Sequence, residues 1–273
     1  MKIVTEMLYG GYVILMSRVK DIRLKVIPSN VANDFIKKNH YSGKVVPNST
    51  LHFGAFLDDV LHGVMSYGPS INKKGTINLV DGTKWNGFIE LNRMAFDEHL
   101  PKYSESRCIA ISMRLLKKNA PQIKWVISFA DGTQCGDGTI YRASGFKLVG
   151  IAKSGQVFNF NNEIVHGKIL WDKCLVKGWT VSDSCMKKLR DNGHKIERLE
   201  GYQLKYIYFI DKSMEKDLTK PILPFSKIKE MGASMYRGKK ICDSGVKRST
   251  ASFQDVGGGA IPTESLQLER QYA

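Results

Sequence analysis

The sequence predicts an α/β protein with a mixed central sheet and helices on both of its faces. Segments with the two-residue period of strands alternate along the chain with segments that have the 3.6-residue period of helices. Residues 51–57 and 60–67 are strand-like and only two residues apart, which predicts an antiparallel hairpin. Residues 122–130 alternate regularly, and a glycine-rich loop then leads into a helix. The apolar content of 42% is sufficient for a substantial core.

A strand and a helix open the predicted domain. Residues 21–27 alternate like a strand, and Pro28-Ser29 offers a turn and an N-cap for a helix at residues 30–39. That helix ends in the polar and aromatic cluster His40-Tyr41-Ser42-Gly43. A histidine at a helix end is more often a cap than a ligand, so the cluster by itself does not indicate a site.

An arginine lies in the middle of the next predicted strand. The alternation places Leu91, Arg93 and Ala95 on one face. A guanidinium between apolar neighbours is unusual, because a buried charge needs a partner anion. Arg93 either pairs with an internal carboxylate, such as Glu90 or Asp131, or it binds an anion of the substrate.

The following helix has a clear predicted start. Ser104 is a natural N-cap, and Glu105 suits the positive amino end of the helix. Met113 and Leu116 belong to its buried stripe. The helix leads into the strand at residues 122–130.

Asp131 directly follows that strand. The loop after it carries three glycines, and a helix is predicted at residues 139–144, followed by a strand at 146–151. A carboxylate at the carboxyl end of a buried strand, facing a glycine-rich turn, lies where open α/β sheets bind ligands. An acid that only caps the helix is the alternative, and position alone does not separate the two.

Composition restricts the partners and the compartment. The formal charge is +15 and the pI about 9.5, a bias typical of proteins that bind nucleic acid, anionic membranes or acidic proteins. Five cysteines without a C-x-x-C pair predict neither a disulfide framework nor a thiolate zinc site, so we expect an intracellular, reduced protein. The apolar run within residues 1–20 is too short to span a bilayer. We therefore expect an N-terminal extension there, with Met1 and Met16 as alternative starts, and no membrane partner.

The composition and the pattern of predicted elements change after residue 172. Residues 173–243 are predicted to form a basic α/β extension with a helix at 182–192 and an aromatic strand at 202–210. Tyr206 and Tyr208 on that strand either stack on bases or belong to the core. Residues 244–273 have the composition of a disordered tail. The candidate DNA-binding residues of this region are Lys187, Lys188, Arg190, Arg237, Lys239 and Lys240.

The collected order of elements is β-α-β-β-β-α-β-α-β, with a further strand predicted at residues 167–172. This is the order of the GNAT acetyltransferase fold, a mixed and splayed sheet with helices on both faces, and we assign residues 21–172 to it. In that superfamily a glycine-rich loop before the helix that follows the fourth strand holds the pyrophosphate of acyl-coenzyme A. Residues 100–106 contain no glycine and place Glu105 where phosphate would lie. Acetyl-coenzyme A is therefore the less favoured donor.

Several stretches of the chain together carry a more specific signal. They are Asn39-His40-Tyr41-Ser42-Gly43, Leu51-His52-Phe53-Gly54, Glu90-Leu91-Asn92-Arg93-Met94-Ala95, Ser104-Glu105-Ser106-Arg107, Ser128-Phe129-Ala130-Asp131 and Gly138-Thr139-Ile140-Tyr141-Arg142-Ala143-Ser144-Gly145-Phe146. In this order they resemble the Mom proteins of phages, over roughly residues 30–150.

The resemblance implies an enzyme that converts the N6 amine of adenine in double-stranded DNA to a carbamoylmethyl (acetamido) derivative, which shields phage DNA from host restriction. It implies duplex DNA as the partner and the cytoplasm of the host cell as the location of a phage- or prophage-encoded protein. A homodimer remains an open alternative, and so does the donor of the transferred group.

The resemblance also implies a set of site residues. They are Asp131, Tyr141, His40, Tyr41 and Arg93 and, by a weaker motif match, Ser104 and Ser106. It further implies a bound iron, Fe(II), for which the His40-Tyr41 pair is the natural position.

The chemistry agrees with these residue types. The adenine amine is a weak nucleophile, so a base such as Asp131 must accept its proton as the new bond forms. Reaching the amine in a duplex normally requires flipping the base into a pocket, for which Tyr41 and Tyr141 are candidate walls; Tyr141 is alternatively a proton donor. Arg93 is suited to hold an anionic donor group or a phosphate.

Two other function classes remain. An ordinary N-acetyltransferase for a protein or a small amine fits the fold, but the missing glycine loop disfavours it. A non-enzymatic DNA-binding protein fits the charge, but the cluster of reactive residues disfavours it.

Overall fold

A computed structural model describes residues 18–134, 136–173, 175–178, 180–236 and 238–240. Residues 1–17 of the extension predicted at 1–20 and the whole of the tail predicted at 244–273 lie outside these residues. The strands are β1 (Arg23–Val26), β2 (Leu51–Leu57), β3 (Val60–Gly68), β4 (Phe88–Phe96), β5 (Trp125–Asp131), β6 (Lys147–Lys153), β7 (Val157–Phe160), β8 (Glu163–His166), β9 (Ile196–Arg198), β10 (Tyr202–Phe209), β11 (Met235–Tyr236) and β12 (Lys239–Lys240). The helices are α1 (Ser29–Asn39), α2 (Lys73–Ile77), α3 (Ser104–Asn119), α4 (Thr139–Ala143), α5 (Gly167–Asp172), α6 (Asp183–Asp191) and α7 (Ser226–Glu230).

Seven strands form the central sheet, in the order β1-β2-β3-β4-β5-β10-β6. All neighbours are antiparallel except β4 and β5, which are parallel. Their pairing runs only from Phe88 opposite Trp125 to Leu91 opposite Ser128, after which the two strands separate. The predicted mixed and splayed sheet is confirmed, and so is the GNAT-like order of its elements.

The sheet is covered on both faces. Ile36 of α1 packs with Val64 and Ala95 on one face. Ile109 of α3 packs with Leu91 on the other face. Amphipathic helices bury their apolar stripes in this way, and the two layers enclose the strands.

Trp125 anchors the point where β4 and β5 begin to pair. Its side chain is fully buried and stacks on Phe88, with 4.3 Å between ring centroids. Its indole N–H donates to Thr83 Oγ1 at 3.0 Å, so the polar atom of the ring is satisfied. Truncating a buried tryptophan to alanine costs about 3–5 kcal/mol, so we infer that this contact contributes strongly to the parallel pairing.

A bulge in β4 corrects the predicted alternation. The register between β3 and β4 shifts at Asn92, because Ser66 lies opposite Arg93 whereas Tyr67 lies opposite Leu91. Leu91 therefore packs on the α3 face and Ala95 on the α1 face. The prediction that both share a face with Arg93 is wrong, since a bulge reverses the side-chain direction beyond the extra residue.

Two further predictions differ from the structure. Residues 167–172, predicted as a strand, form helix α5. Strand β10, assigned from sequence to an extension that begins at residue 173, lies between β5 and β6 in the central sheet. A second sheet, in the order β8-β7-β9, packs with α5 and α6 around its own small core. The division at residue 172 thus cuts through one sheet, because strand pairing joins segments that are distant in sequence.

No helix in the described part of the chain is long and apolar enough to cross a membrane.

Candidate active site

The separation of β4 and β5 creates a fork, and its two limbs carry Arg93 and Asp131. Ser128 is the last residue of β5 that pairs with β4. Its hydroxyl donates to the carbonyl oxygen of Leu91 at 3.0 Å and is hydrogen-bonded to the hydroxyl of Tyr141 at 2.9 Å. This buried serine joins both strands to α4, so it defines the inner end of the fork.

Arg93 lies on the β4 limb of the fork. Its Nε donates to the carbonyl of Lys44 at 3.2 Å, and its Nη1 donates to the carbonyl of Asn92 at 3.0 Å. Within the described residues, no ion pair shorter than 4.0 Å joins it to a carboxylate, although its charge acts on Glu90, whose pKa burial raises and Arg93 lowers. Two carbonyls orient the guanidinium without neutralising it, which leaves its charge available for an anion.

His40 and Tyr41 approach Arg93 from the end of α1. The two rings lie 4.2 Å apart, and Tyr41 is 50% exposed. His40 Nδ1 accepts the backbone N–H of Ser42 at 3.1 Å and is hydrogen-bonded to its hydroxyl at 2.8 Å. Burial, together with the positive charge of Arg93, lowers the pKa of His40 to about 4. The ring is therefore neutral at physiological pH and carries its proton on Nε2, where it acts as a donor.

This arrangement does not fit the iron site that the resemblance implies at His40 and Tyr41. Nδ1 of His40 is already occupied by Ser42, and Nε2 carries the proton. Among the described residues, no three His, Cys, Asp or Glu side chains converge around His40; the group that does converge lies elsewhere. We therefore derive no step of the reaction through iron at this position.

The low pKa of His40 predicts a pH dependence of stability. In the unfolded chain His40 takes up a proton near its ordinary pKa of 6.5, but in the folded chain only near pH 4. The free energy of unfolding should therefore fall as the pH drops from 6.5 to 4. We expect the free energy of unfolding to fall by about 2 kcal/mol, an amount already reduced because His40 is partly exposed to solvent. This loss should be absent in His40→Gln. Denaturant unfolding of chelator-treated protein at a series of pH values measures it, with His194→Gln as the control; equal slopes in His40→Gln and the parent would contradict it.

Asp131 lies on the β5 limb. It continues the series Trp125, Ile127 and Phe129, whose side chains pack on the face opposite that of Val126 and Ala130. Its Oδ1 accepts the backbone N–H of Thr133 at 2.9 Å, which closes the turn.

A different acid caps α4. Asp137 Oδ1 accepts both the backbone N–H of Thr139, at 3.1 Å, and its hydroxyl, at 2.6 Å. The alternative that Asp131 serves only as the helix cap is therefore not supported. Gly138 has a φ of +73°, and a Cβ there would come within 2.6 Å of the Tyr206 ring, so the turn requires glycine.

Tyr141 reaches the fork from the other face of the sheet. Its ring packs between Tyr206, at 5.3 Å, and Phe146, at 5.4 Å, so its faces are already in contact with other aromatics. The group that it offers to the fork is its hydroxyl, bonded to Ser128. This placement favours the proton-donor alternative over that of a pocket wall.

The hydroxyls of the two predicted serines of α3 bond to carbonyls of the turn that precedes the helix. Ser104 is buried and its hydroxyl donates to the carbonyl of Pro101. Ser106 donates to the carbonyl of Tyr103 at 3.1 Å. Tyr103, with a φ of +71°, takes the N-cap position without a side-chain bond, so the predicted cap at Ser104 is wrong. Both hydroxyls stabilise the turn before the helix, since they bond to its carbonyls.

Sequence reasoning missed two residues at the site. Burial lowers the pKa of His166, the charge of Asp131 opposes this by raising it, and the charge of Lys44 lowers it further. His166 ends β8 of the second sheet, and Lys44 follows α1. No spacing in the sequence connects these segments, because only the tertiary fold brings them to the carboxyl end of β5.

The predicted DNA-binding residues lie on two exposed elements. Lys187, Lys188 and Arg190 are exposed on α6, and Lys239 and Lys240 are exposed on β12. Arg237 lies outside the described residues. Tyr206 is fully buried in β10, so it belongs to the core and does not stack on bases.

The chain is similar to a known protein family and to a curated protein. The family model described as the Mom protein family matches residues 21–227. Methylcarbamoylase mom of Escherichia phage Mu is 37% identical over 136 residues, which cover 50% of this chain and 56% of that protein. The chain thus spans about half the length of this curated relative.

Acetyltransferases are among the similar solved structures. A Bacillus subtilis acetyltransferase in complex with CoA has a TM-score of 0.39 and 11% identity, and covers 69% of this chain and 98% of its own. A Drosophila melanogaster polyamine N-acetyltransferase has a TM-score of 0.40 and 9% identity, and covers 69% of this chain and 100% of its own. The family match extends over well more than half of the residues, and the chain therefore belongs to the Mom protein family.

Proposed function

We propose that this protein modifies DNA: it converts the N6 amine of adenine in double-stranded DNA to an N6-carbamoylmethyl derivative, inside a phage-infected or prophage-carrying cell. The observation that carries the proposal is the fork between β4 and β5. One limb holds an arginine that forms no direct ion pair with a carboxylate among the described residues, and the other limb holds a carboxylate. Family membership and the net charge of +15 support the proposal.

The described side chains supply the parts of such a reaction. Asp131 accepts the proton of the adenine amine as nitrogen attacks the carbon of the donor. Arg93 binds an anionic group of the donor or a phosphate of the DNA by charge-assisted hydrogen bonds. The Nε2–H of His40 is a donor that can stabilise the departing group, and the hydroxyl of Tyr141 can do so when it exchanges its bond to Ser128 for one to that group. Tyr41, half exposed beside His40, is the aromatic surface available to a flipped base.

Analysis of plasmid DNA from cells that express the protein tests the proposal. We expect the adenine nucleoside to gain the mass of a carbamoylmethyl group, and we expect no gain with Asp131→Asn. Unmodified DNA together with acetylated protein or amine would point to an N-acetyltransferase. Unmodified DNA that the protein nevertheless binds tightly would point to a non-enzymatic DNA-binding protein.

The amino end of α3 predicts weak binding of acetyl-coenzyme A. Tyr103 replaces the glycine-rich loop, and Glu105 places an acid in the first turn of the helix. A pyrophosphate at a helix amino end needs free N–H groups and no nearby negative charge. We expect titration calorimetry to detect no binding in the micromolar range, with a GNAT acetyltransferase as the positive control. Micromolar binding would favour the N-acetyltransferase instead.

A further inference from the structure

Three ligand-type side chains converge at the carboxyl end of β4, away from the fork. His62 lies on β3, and Asp97 follows β4 directly; the backbone N–H of Asp97 donates to the carbonyl of His62 at 3.0 Å. His62 Nδ1 lies 2.9 Å from Asp97 Oδ2, and His99 Nδ1 lies 3.4 Å from Asp97 Oδ1. We call these three residues the β4-end triad.

The spacing of the triad matches that of ligands around a small divalent ion. Zinc binds imidazole nitrogen and carboxylate oxygen at about 2.0–2.2 Å in tetrahedral geometry, which puts neighbouring ligand atoms about 3.3 Å apart. In the triad one potential ligand atom from each residue lies within 4.8 Å of the others. Among the residues that the structure describes, this is the one such group of His, Cys, Asp or Glu side chains. Small side-chain rotations would therefore complete three corners of a tetrahedron.

The surroundings suit an ion that keeps one bound water. The side chains of His62 and Asp97 are 15% and 20% exposed, whereas that of His99 is 77% exposed, so one side of the triad is open. The carboxylate reduces the cost of holding a dication, and the two imidazoles favour a transition metal over calcium or magnesium. The rings of His62 and His99 lie 5.3 Å apart, on the same side of the strand end.

We propose that the β4-end triad, His62, Asp97 and His99, binds a divalent transition-metal ion, with Zn²⁺ as the best fit. The ion joins β3 to the segment that leads from β4 into α3. Asp97 lies four residues beyond Arg93, roughly 13 Å along an extended strand, so the triad is separate from the part of the fork that holds Arg93. The proposal does not depend on the function proposed for the fork.

Titration of chelator-treated, untagged protein with Co²⁺, a spectroscopic substitute for zinc, tests the proposal. We expect one Co²⁺ per chain with the visible absorption of a tetrahedral site. We also expect Zn²⁺ to displace it and to raise the melting temperature by roughly 5 °C at saturating concentration. His62→Ala and His99→Ala should each lose the absorption and the shift. Asp97→Asn, which keeps the shape of the side chain, should weaken Co²⁺ binding by at least about tenfold.

The controls distinguish metal binding at the triad from metal binding elsewhere on the protein. His194→Ala removes a histidine from the loop between α6 and β9 and should bind Co²⁺ like the parent. Circular dichroism of each variant in the absence of metal shows whether it is folded. Parent protein that binds no Co²⁺ would overturn the proposal, and the three side chains would then form a hydrogen-bonded group only. Loss of Co²⁺ binding in His40→Ala, with binding retained in His62→Ala, would place the metal at the fork and would overturn it equally.

Discussion

Asp131→Asn is expected to abolish nearly all modification of adenine while leaving the protein folded. The amide keeps the size of the side chain and an oxygen that can accept the backbone N–H of Thr133, so the turn after β5 survives. It cannot accept the proton of the adenine amine. Loss of a general base typically costs on the order of a hundred- to ten-thousand-fold in rate. Quantification of modified adenine in plasmid DNA, together with the melting temperature, measures both effects.

Asp137→Asn is the matched control for this change. Asp137 lies in the same loop and has a comparable bond to a backbone N–H, and its ion pair with Arg142, at 3.6 Å, is partly exposed. Such an ion pair contributes little stability, so we expect nearly parental activity and melting temperature. Equal activity of Asp131→Asn and the parent would show that Asp131 is structural and is not the general base.

DNA affinity is expected to fall by several orders of magnitude as salt is raised from low to physiological concentration. A chain with a net charge of +15 binds a duplex mainly through phosphate contacts, and each contact releases condensed counterions. For six to ten contacts, affinity decreases about 10³- to 10⁵-fold between 50 and 200 mM salt. Fluorescence anisotropy with a labelled duplex measures the slope, and binding that does not change over this range would contradict the prediction.

A double variant tests whether α6 contributes to this binding. Lys187→Gln/Lys188→Gln removes two exposed positive charges from α6. The slope of log affinity against log salt concentration should therefore become shallower by about 1.8. Lys117→Gln/Lys118→Gln is the control. These adjacent lysines are also exposed on a helix, but they lie in the last turn of α3, which leads to the start of β5. Equal effects of the two double variants would mean that α6 is not a specific part of the DNA-binding surface.

Local sequence patterns determined much of this protein. Alternation predicted the hairpin of β2 and β3, and the stripe of α3 predicted which side of that helix is buried. The position of Asp131 at the end of β5, before a glycine-rich turn, followed from the same kind of information. These features depend on residues that are near one another in the chain, and each has its own periodicity or turn chemistry.

The tertiary structure decided what depends on distant segments. The bulge at Asn92 turns Arg93 toward α1, and it arises from the register between β3 and β4. The insertion of β10 between β5 and β6 and the approach of His166 to Asp131 also need pairings between remote parts of the chain. Strand register and sheet order result from hydrogen bonds and packing between segments. The periodicity of a single segment therefore does not predict them. The sequence therefore indicated the candidate residues, and the fold decided which of them lie together.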